Sequence, residues 1–127
     1  MKHHYSRHYT LEEAQALLPQ VQGWLAHLRA AHRRMEKLGD HLGHLAVDDQ
    51  DVGGSAVNTY YKVVVDVQVL LAEFGRREIV VKDVDRGLID FPSFRGGREV
   101  FLCWEEGEET IEFWHDLDTG YAGREHL

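Results

Sequence analysis

The chain has 127 residues, of which 43% are hydrophobic and 28% charged, and its formal net charge is -8 at pH 7. This length suits one domain, and the composition is that of a folded globular protein. No apolar run approaches the ~18 residues that a membrane helix needs, and residues 1–8 lack the apolar segment of a signal peptide. We therefore expect a cytoplasmic protein without a membrane partner. The single cysteine, Cys103, can form neither an internal disulfide nor, alone, a thiolate metal site.

The charge is divided unevenly along the chain. Residues 1–45 carry six Lys or Arg against four Asp or Glu, together with seven of the nine histidines, whereas residues 46–127 carry eight against eighteen. A nucleic-acid-binding surface needs clustered positive charge to displace counterions, so the acidic second part argues against nucleic acid as a partner. The acidic part serves solubility, or it prefers cations or a basic partner.

The first predicted helix begins at a capping box. Glu13 follows Thr10 by three residues, and in this pattern the hydroxyl and the carboxylate each accept a hydrogen bond from a backbone N–H at the helix start. Pro19 has no N–H and would clash with the preceding turn of a continuous helix. We therefore expect a short helix over residues 11–18, a break, and a longer helix with Pro19 in its first turn.

Apolar residues recur every three or four positions after this proline, in a stripe wide enough to pack against more than one helix. His32 and Gly39 interrupt the stripe. We expect His32 to fix the register of packed helices, with a pH-sensitive contact as the alternative. Residues 46–55 then form an acidic, glycine-containing linker, in which Ser55 is the expected N-cap of the next element.

Residues 56–74 fit two patterns. Alternate apolar, mainly β-branched residues between positions 61 and 71 favour a strand. Apolar residues also step by three and four between positions 57 and 74, and a segment this long without Gly or Pro exceeds the usual ~5–6 residues of a strand. We predict a helix, ended near Gly75, that packs antiparallel on the first helix because the linker between them is short.

The last third of the chain predicts an antiparallel meander. Strands are expected over residues 78–84, 88–91, 99–106 and 110–114, where Pro92 ends the second strand and Gly107 lies in a tight turn between the last two. Period-two alternation predicts a common buried face for four side chains, those of Phe101, Cys103, Ile111 and Phe113.

The predicted fold class is therefore α+β, with an N-terminal antiparallel helical hairpin packed with a small C-terminal antiparallel β-meander. We expect a single domain over residues 1–127, with a flexible histidine-rich N-terminus (1–9), a helical part (10–75) and a small β-sheet part (76–127). The second helix is apolar nearly all round, which a monomeric hairpin cannot bury. A homo-oligomer, dimeric or higher, is therefore expected through the helices.

Several segments carry a family resemblance. They are LIDFP at residues 88–92, LCW at 102–104 followed by Gly107 and Glu108, WHDLDTGYAGR at 114–124, and the opening at 10–19. Together they resemble the pattern of a small bacterial family catalogued as domain of unknown function 2203, over nearly the whole chain. The resemblance implies a helical N-terminal part and a small C-terminal sheet, and it supports a helix over residues 56–74. It implies no reaction, cofactor or catalytic residue.

The segment from Trp114 to Asp118 is the strongest candidate for chemistry. The imidazole of His115 and the carboxylates of Asp116 and Asp118 are suited to a divalent metal such as zinc, manganese or iron. A regular strand would point His115 and Asp116 to opposite faces, so a turn after Trp114 would be needed. The structural alternative is that the imidazole caps a strand end while both carboxylates bind turn amides. Further oxygen ligands would come from Asp83, Asp85 or Asp90.

The remaining histidines offer weaker metal sites. His3, His4 and His8 lie in the expected mobile N-terminus and would bind nickel or zinc adventitiously. His41 and His44 are one helical turn apart and could share a metal, but they lie off the apolar stripe, so solvent exposure is their expected state.

Two further features have a structural and a chemical interpretation. Residues 95–98, Arg-Gly-Gly-Arg, form either a turn between strands, which we favour, or a small anion-binding loop. Cys103 is expected as a buried strand residue, since a nucleophilic cysteine needs access and a low pKa.

Two functions follow from the sequence. The first is a self-associating, non-enzymatic module that binds a ligand or partner that the sequence does not name. The second is a metal-dependent, hydrolytic enzyme with His115, Asp116 and Asp118 at the metal, where the ion would activate water or polarise a substrate. A divalent metal is the one cofactor that the residues suggest.

Overall fold

The computed structural model describes residues 2–47 and 54–127, without the side chains of residues 45–47, so most of the predicted linker lies outside the described residues. The elements are α1 (Leu11–Val47), α2 (Ser55–Gly75), β1 (Val80–Asp83), β2 (Leu88–Arg95), β3 (Arg98–Glu105), β4 (Phe113–Asp116), a short 3-10 helix (Tyr121–Gly123) and β5 (Glu125–His126). The strands pair antiparallel in chain order. The predicted α+β fold, a helical hairpin followed by a β-meander, is confirmed. None of the described helices is both long and apolar enough to cross a membrane.

α1 begins at the predicted capping box but does not break at Pro19. The N–H of Thr10 donates to Glu13 Oε1 over 2.9 Å, and the N–H of Glu13 donates to Thr10 Oγ1 over 3.1 Å. The predicted break is wrong, because Pro19 lies inside one continuous helix. Pro19 is exposed, so the carbonyl that it leaves unpaired faces water, while Leu18 and Val21 stay buried on the opposite side.

α2 confirms the helical interpretation of residues 56–74. Its buried residues are Val63, Val67 and Phe74, and Phe74 contacts Trp24 of α1 edge to face. Nearer the start of α2, the ring of Tyr60 lies against the backbone at Gly39 of α1. The prediction of Ser55 as N-cap is wrong. The cap is Gly54, whose φ of 74° few other residues adopt, and no side chain caps the helix.

The core lies between α1 and one face of the sheet. α1 contributes five buried side chains, those of Ala14, Leu18, Val21, Leu25 and Leu28. The facing side chains of the sheet and its loops are those of Ile89, Phe91, Val100, Leu102, Trp104, Ile111 and Trp114. The alternation predicted that Ile111 shares a face with Phe101 and Cys103, and this prediction is wrong, because Ile111 lies in the core on the side of α1. β4 begins only at Phe113, so the period-two rule does not extend back to residue 111.

The sequence predicted that the second strand ends at Pro92. This is wrong, because β2 continues through Pro92 to Arg95. The carbonyl of Pro92 accepts a hydrogen bond from Tyr9 N over 2.7 Å, on the side of β2 away from β3. In an antiparallel strand the N and the carbonyl of one residue point to the same side, so the missing N–H of Pro92 also faces away from β3. β1 pairs with β2 only as far as Asp90, so at Pro92 no strand requires that N–H.

The second face of the sheet is covered by the N-terminal segment and, beside Phe113 and Cys103, by Arg124. Residues 4 and 5 donate their backbone N–H groups to the carboxylate of Glu99, over 2.8 Å each, and His8 Nε2 lies 2.8 Å from the same group. Tyr5 packs on Phe101, with ring centroids 5.4 Å apart. The sequence did not predict these contacts of the N-terminal segment with the sheet. The flexibility of residues 1–9 stays a prediction.

Gly87 provides the first test of this packing. Its φ is +68°, and a Cβ there would lie 2.6 Å from Glu106 Cβ and 2.9 Å from Leu25 Cδ2. We expect Gly87→Ala to lower the free energy of unfolding by about 2–4 kcal/mol, from the left-handed backbone and the clash together. Gly96→Ala is the control, since its φ is +60° with nothing within 4 Å. Urea unfolding should show a loss of only about 1 kcal/mol for the control, and equal losses would contradict the predicted clash.

Glu99 provides a second test, based on pH. Burial alone would raise the pKa of Glu99, but the hydrogen bonds from His4 N, the His8 ring and Tyr5 N lower it from 4.5 to about 2. A carboxylate with a lowered pKa stabilises the fold above pH ~4.5, and this contribution is lost as the pH falls towards 2. Glu99→Gln should therefore weaken the fold at pH 7 by about 1–3 kcal/mol and reduce the loss of stability between pH 5 and 2.

Denaturant unfolding at several pH values measures both effects. The exposed Glu109 of the loop before β4 offers the control Glu109→Gln, which should follow the wild type at every pH. An unchanged acid sensitivity of Glu99→Gln would show that these hydrogen bonds do not hold the N-terminal segment to the sheet.

Candidate functional site

Asp90, Cys103 and His115 form a buried polar cluster on the sheet face that points away from α1. Asp90 pairs directly with Cys103 across β2 and β3, and His115 pairs with Phe101, two residues along β3. Paired residues share a face, so the register brings all three side chains together. Their exposed fractions are 1%, 0% and 1%, and one ligand atom from each lies within 4.8 Å of the other two.

The hydrogen bonds of His115 define its state. Nδ1 lies 2.7 Å from the carbonyl oxygen of Asp116, and Nε2 lies 3.0 Å from Asp90 Oδ2. A carbonyl oxygen can only accept, so Nδ1 carries a hydrogen. The contact between Nε2 and Oδ2 then requires one further proton, held on either atom. Burial alone would lower the pKa of His115, but the hydrogen bonds to Asp90 and Asp116 raise it above its ordinary value.

The second carboxylate oxygen of Asp90 has no hydrogen-bond partner. Oδ1 is fully buried, and none of the described residues donates to it. A buried polar atom without a partner costs about 1–3 kcal/mol, and native folds hold few of them. The neighbouring thiol of Cys103 interacts with the Asp90 carboxylate but is not in hydrogen-bonding geometry with Oδ1. Oδ1 is therefore open to a bound ion or water.

Cys103 is a buried thiol rather than an exposed nucleophile, as expected from the sequence. Burial and the neighbouring charge of Asp90 raise the pKa of Cys103 to about 12, although the nearby Arg124 acts in the opposite direction. Arg124 Nη1 lies 3.8 Å from Sγ, and its guanidinium stacks on Phe113 and pairs with Glu108. A buried thiol with a raised pKa is poorly suited to a Cys–His nucleophilic pair.

The cluster contains one of the three residues that the sequence predicted as metal ligands. His115 belongs to it, whereas Asp116 lies on the helix-facing side of β4 and its Oδ1 is 3.1 Å from Arg98 Nη2. Asp118 is exposed, in the turn after β4. Binding of a metal by Asp116 and Asp118 stays a prediction, but the structure does not bring their carboxylates to the imidazole of His115.

Of the three aspartates suggested as additional ligands, the sheet brings only Asp90 to His115. Asp83 accepts a hydrogen bond from Arg86 N over 3.0 Å, and Asp85 is exposed. Cys103 was missed as a partner of the other two. The sequence does place a charged residue, Asp90, inside an apolar strand, which indicates a buried polar site. Which side chains lie beside Asp90 depends on the strand register, and the sequence does not give that register.

A cavity of about 450 Å³ lies beside the cluster. It is lined by His4, Tyr5, Lys82, Phe101, Leu117 and Asp118. Phe101 separates the cavity from the cluster, with its ring centroid 5.3 Å from that of His115. A ligand in this cavity would meet aromatic rings and both signs of charge, and it would touch Asp118, one of the residues singled out from the sequence.

The other motifs singled out from the sequence have structural partners or face solvent. The Arg-Gly-Gly-Arg segment is the turn between β2 and β3, with positive φ at both glycines, and its arginines contact Trp114 and Asp116. His32 is half-buried, 3.0 Å from Glu36 Oε1, and its role in helix register stays a prediction. His41 and His44 are exposed.

Comparison with known proteins identifies the family. No curated protein and no solved structure matches the chain. A family model described as an uncharacterized conserved protein, DUF2203, matches residues 7–127, which include both helices, all five strands and the buried cluster. The chain therefore belongs to the DUF2203 family of uncharacterized conserved proteins, as the segments at residues 88–92, 102–108 and 114–124 indicated.

Proposed function

We propose that this chain is a self-associating module, in which α2 of one copy packs against α2 of a second copy to form a dimer. The observation that carries the proposal is an apolar stripe on the outer side of α2. The ligand or partner of the dimer is not named by the structure, although the cavity beside Phe101 is available in each subunit.

The apolar stripe lies opposite the buried side of α2. Val63 and Val67 are buried, whereas Val65, between them, is 52% exposed. At 100° per residue, Val65 points about 160° away from both. Tyr61 and Val69, one turn before and one turn after Val65, are 62% and 58% exposed. A helix that packs on one side only usually carries polar residues on the other side, whereas this side of α2 carries three large apolar side chains among polar ones such as Asn58, Lys62 and Gln68.

α2 also carries most of the large exposed apolar side chains of the described residues. Of the seven large hydrophobic side chains exposed among the described residues, four belong to α2. They are Tyr61, Val65 and Val69 of the stripe, and Leu71, which lies about 120° around the helix from Val65. Contiguous exposed apolar patches on a folded protein commonly mark an interaction surface, whereas single exposed residues do not.

The shape of the surface fits a second copy of the same helix. A groove lined by Asn58, Tyr61, Lys62, Val65 and Asp66 runs along one side of the stripe. A second groove, bordered by Asp66, Val69 and residues of α1, lies next to the first, on the side of the stripe that faces α1. Helices pack by inserting the ridge of side chains spaced four apart into such grooves, so the same face can supply both the ridge and the groove of a symmetric contact.

The charges beside the stripe are self-complementary. Lys62 and Asp66 are exposed and lie one turn apart. A two-fold axis near residue 64 would place Lys62 of each copy at the level of Asp66 in the other, which favours an antiparallel arrangement of the two α2 helices.

Light scattering on the full chain tests the proposal. Because one chain has a mass of 14.7 kDa, we expect the wild type at micromolar concentration to show about twice that mass. The double variant Val65→Asp/Val69→Asp should shift the mass to that of one chain, because it would bury two uncompensated charges per copy. Both valines are more than half exposed, so the variant subunit should keep its helical circular dichroism.

Gln22→Asp/Ala26→Asp is the matched control. These positions are exposed on α1, are also spaced by four residues, and add the same two negative charges away from α2. The control should remain dimeric. A monomeric wild type, or a dimer that both double variants leave intact, would refute an interface through α2.

A metal-dependent hydrolytic enzyme built on His115, Asp116 and Asp118 is the second candidate from the sequence. It lacks support from the geometry, because Asp116 pairs with Arg98 and the imidazole of His115 is 1% exposed. Hydrolysis at a metal needs an open coordination position that a substrate can reach. We retain the bacterial origin, the cytoplasmic location and the lack of nucleic-acid binding as expectations from the sequence.

A further inference from the structure

We propose that Asp90, Cys103 and His115 bind one divalent transition-metal ion, with zinc as the best fit, in the interior of the sheet. The ligand atoms are a carboxylate oxygen of Asp90, Sγ of Cys103 and Nε2 of His115. This site shares only His115 with the Trp114–Asp118 segment that the sequence suggested, and it is independent of dimer formation through α2.

The geometry of the three atoms is close to that of a metal site. All lie within 4.8 Å of one another, and Nε2 and Oδ2 are 3.0 Å apart. Zinc bonds of about 2.0–2.3 Å place the ligand atoms of a tetrahedron about 3.3–3.8 Å apart. The side chains would therefore need to move by about 1 Å or less, and β2, β3 and β4 already hold them on one face.

Two hydrogen-bonding features point to a cation here. The first is Asp90 Oδ1, which is buried and has no donor among the described residues. The second is the hydrogen bond from His115 Nδ1 to the carbonyl of Asp116, over 2.7 Å. Metal-binding histidines commonly use their second nitrogen in this way, because it fixes the ring and leaves the other nitrogen free to bind the metal. In His115 the other nitrogen is Nε2, which shares a proton with Asp90 Oδ2 over 3.0 Å and would bind the metal once that proton is displaced.

The surrounding charges are compatible with a divalent ion. Metal binding would displace two protons, the one on the thiol of Cys103 and the one shared by Asp90 and His115, so the net charge of the cluster would not change. The nearby guanidinium of Arg124 is itself paired with Glu108. One thiolate, one imidazole and one carboxylate favour zinc, iron or cobalt over magnesium or calcium, which prefer oxygen ligands only.

Cobalt substitution tests the site without any variant. Cys103 is the only cysteine in the chain, so a near-ultraviolet thiolate-to-Co²⁺ charge-transfer band can come from no other residue. Because the site is buried, the full chain is refolded from urea with one equivalent of Co²⁺. We expect the band to appear together with visible d–d absorption of bound Co²⁺, and added Zn²⁺ to abolish both.

Variants then identify the ligands. Asp90→Asn and His115→Gln should each weaken Co²⁺ binding about 100-fold or more, and Cys103→Ser should abolish the charge-transfer band. His4→Asn is the control, because His4 is an exposed histidine that contacts Glu99 through its backbone only. Circular dichroism of each variant without metal separates a loss of ligand from a loss of fold.

Two results would overturn the proposal. One is the absence of a thiolate band when the wild type is refolded with Co²⁺. Binding of Co²⁺ that gives no such band and is lost in His4→Asn would be this same result, because the ion would then be held by the histidine-rich N-terminus. The other is a thiolate band that persists with unchanged affinity in folded Asp90→Asn and His115→Gln. In that case Cys103 would bind metal without the two partners that the register brings to it.

Discussion

The sheet is covered on both faces, and this double cover permits a polar cluster in its interior. α1 covers one face with aliphatic side chains, while residues 4–8 and the C-terminal residues after β4 cover the other with aromatic and charged groups. A carboxylate and an imidazole without water are tolerated only when they pair. His115 and Asp90 do so, and their exposed fractions of 1% show that the cover over them is complete.

Local sequence rules predicted most of the architecture. The capping box at Thr10, the helix over residues 56–74 and the order of strands depend on neighbours within a few residues, and these predictions agree with the structure. The breaks predicted at Pro19 and Pro92 were wrong for a shared reason. Whether a missing N–H is costly depends on which side of the element it faces, and that side is set by tertiary packing.

The candidate site was predictable only in part. His115 was singled out because it stands beside two aspartates in the sequence, but neighbours along a strand point to opposite faces. Its actual partners, Asp90 and Cys103, come from two other strands and are separated from it by 25 and 12 residues. Their meeting depends on the pairing register between β2, β3 and β4, which one sequence does not determine.

The contact between the N-terminal segment and β2 also has a consequence for handling the protein. Past Asp90, β2 has no partner in β1. Among the described residues, two hydrogen bonds join this side of β2 to the N-terminal segment: Tyr9 N donates to Pro92 O over 2.7 Å, and Ser93 Oγ donates to Tyr9 O over 2.5 Å. Phe94, at the end of this edge, is stacked by His8. A shortened or displaced N-terminus would leave an open strand edge beside an aromatic ring, which is a common starting point for aggregation. Affinity tags are therefore better placed where they do not displace residues 4–9, which cover this part of the sheet.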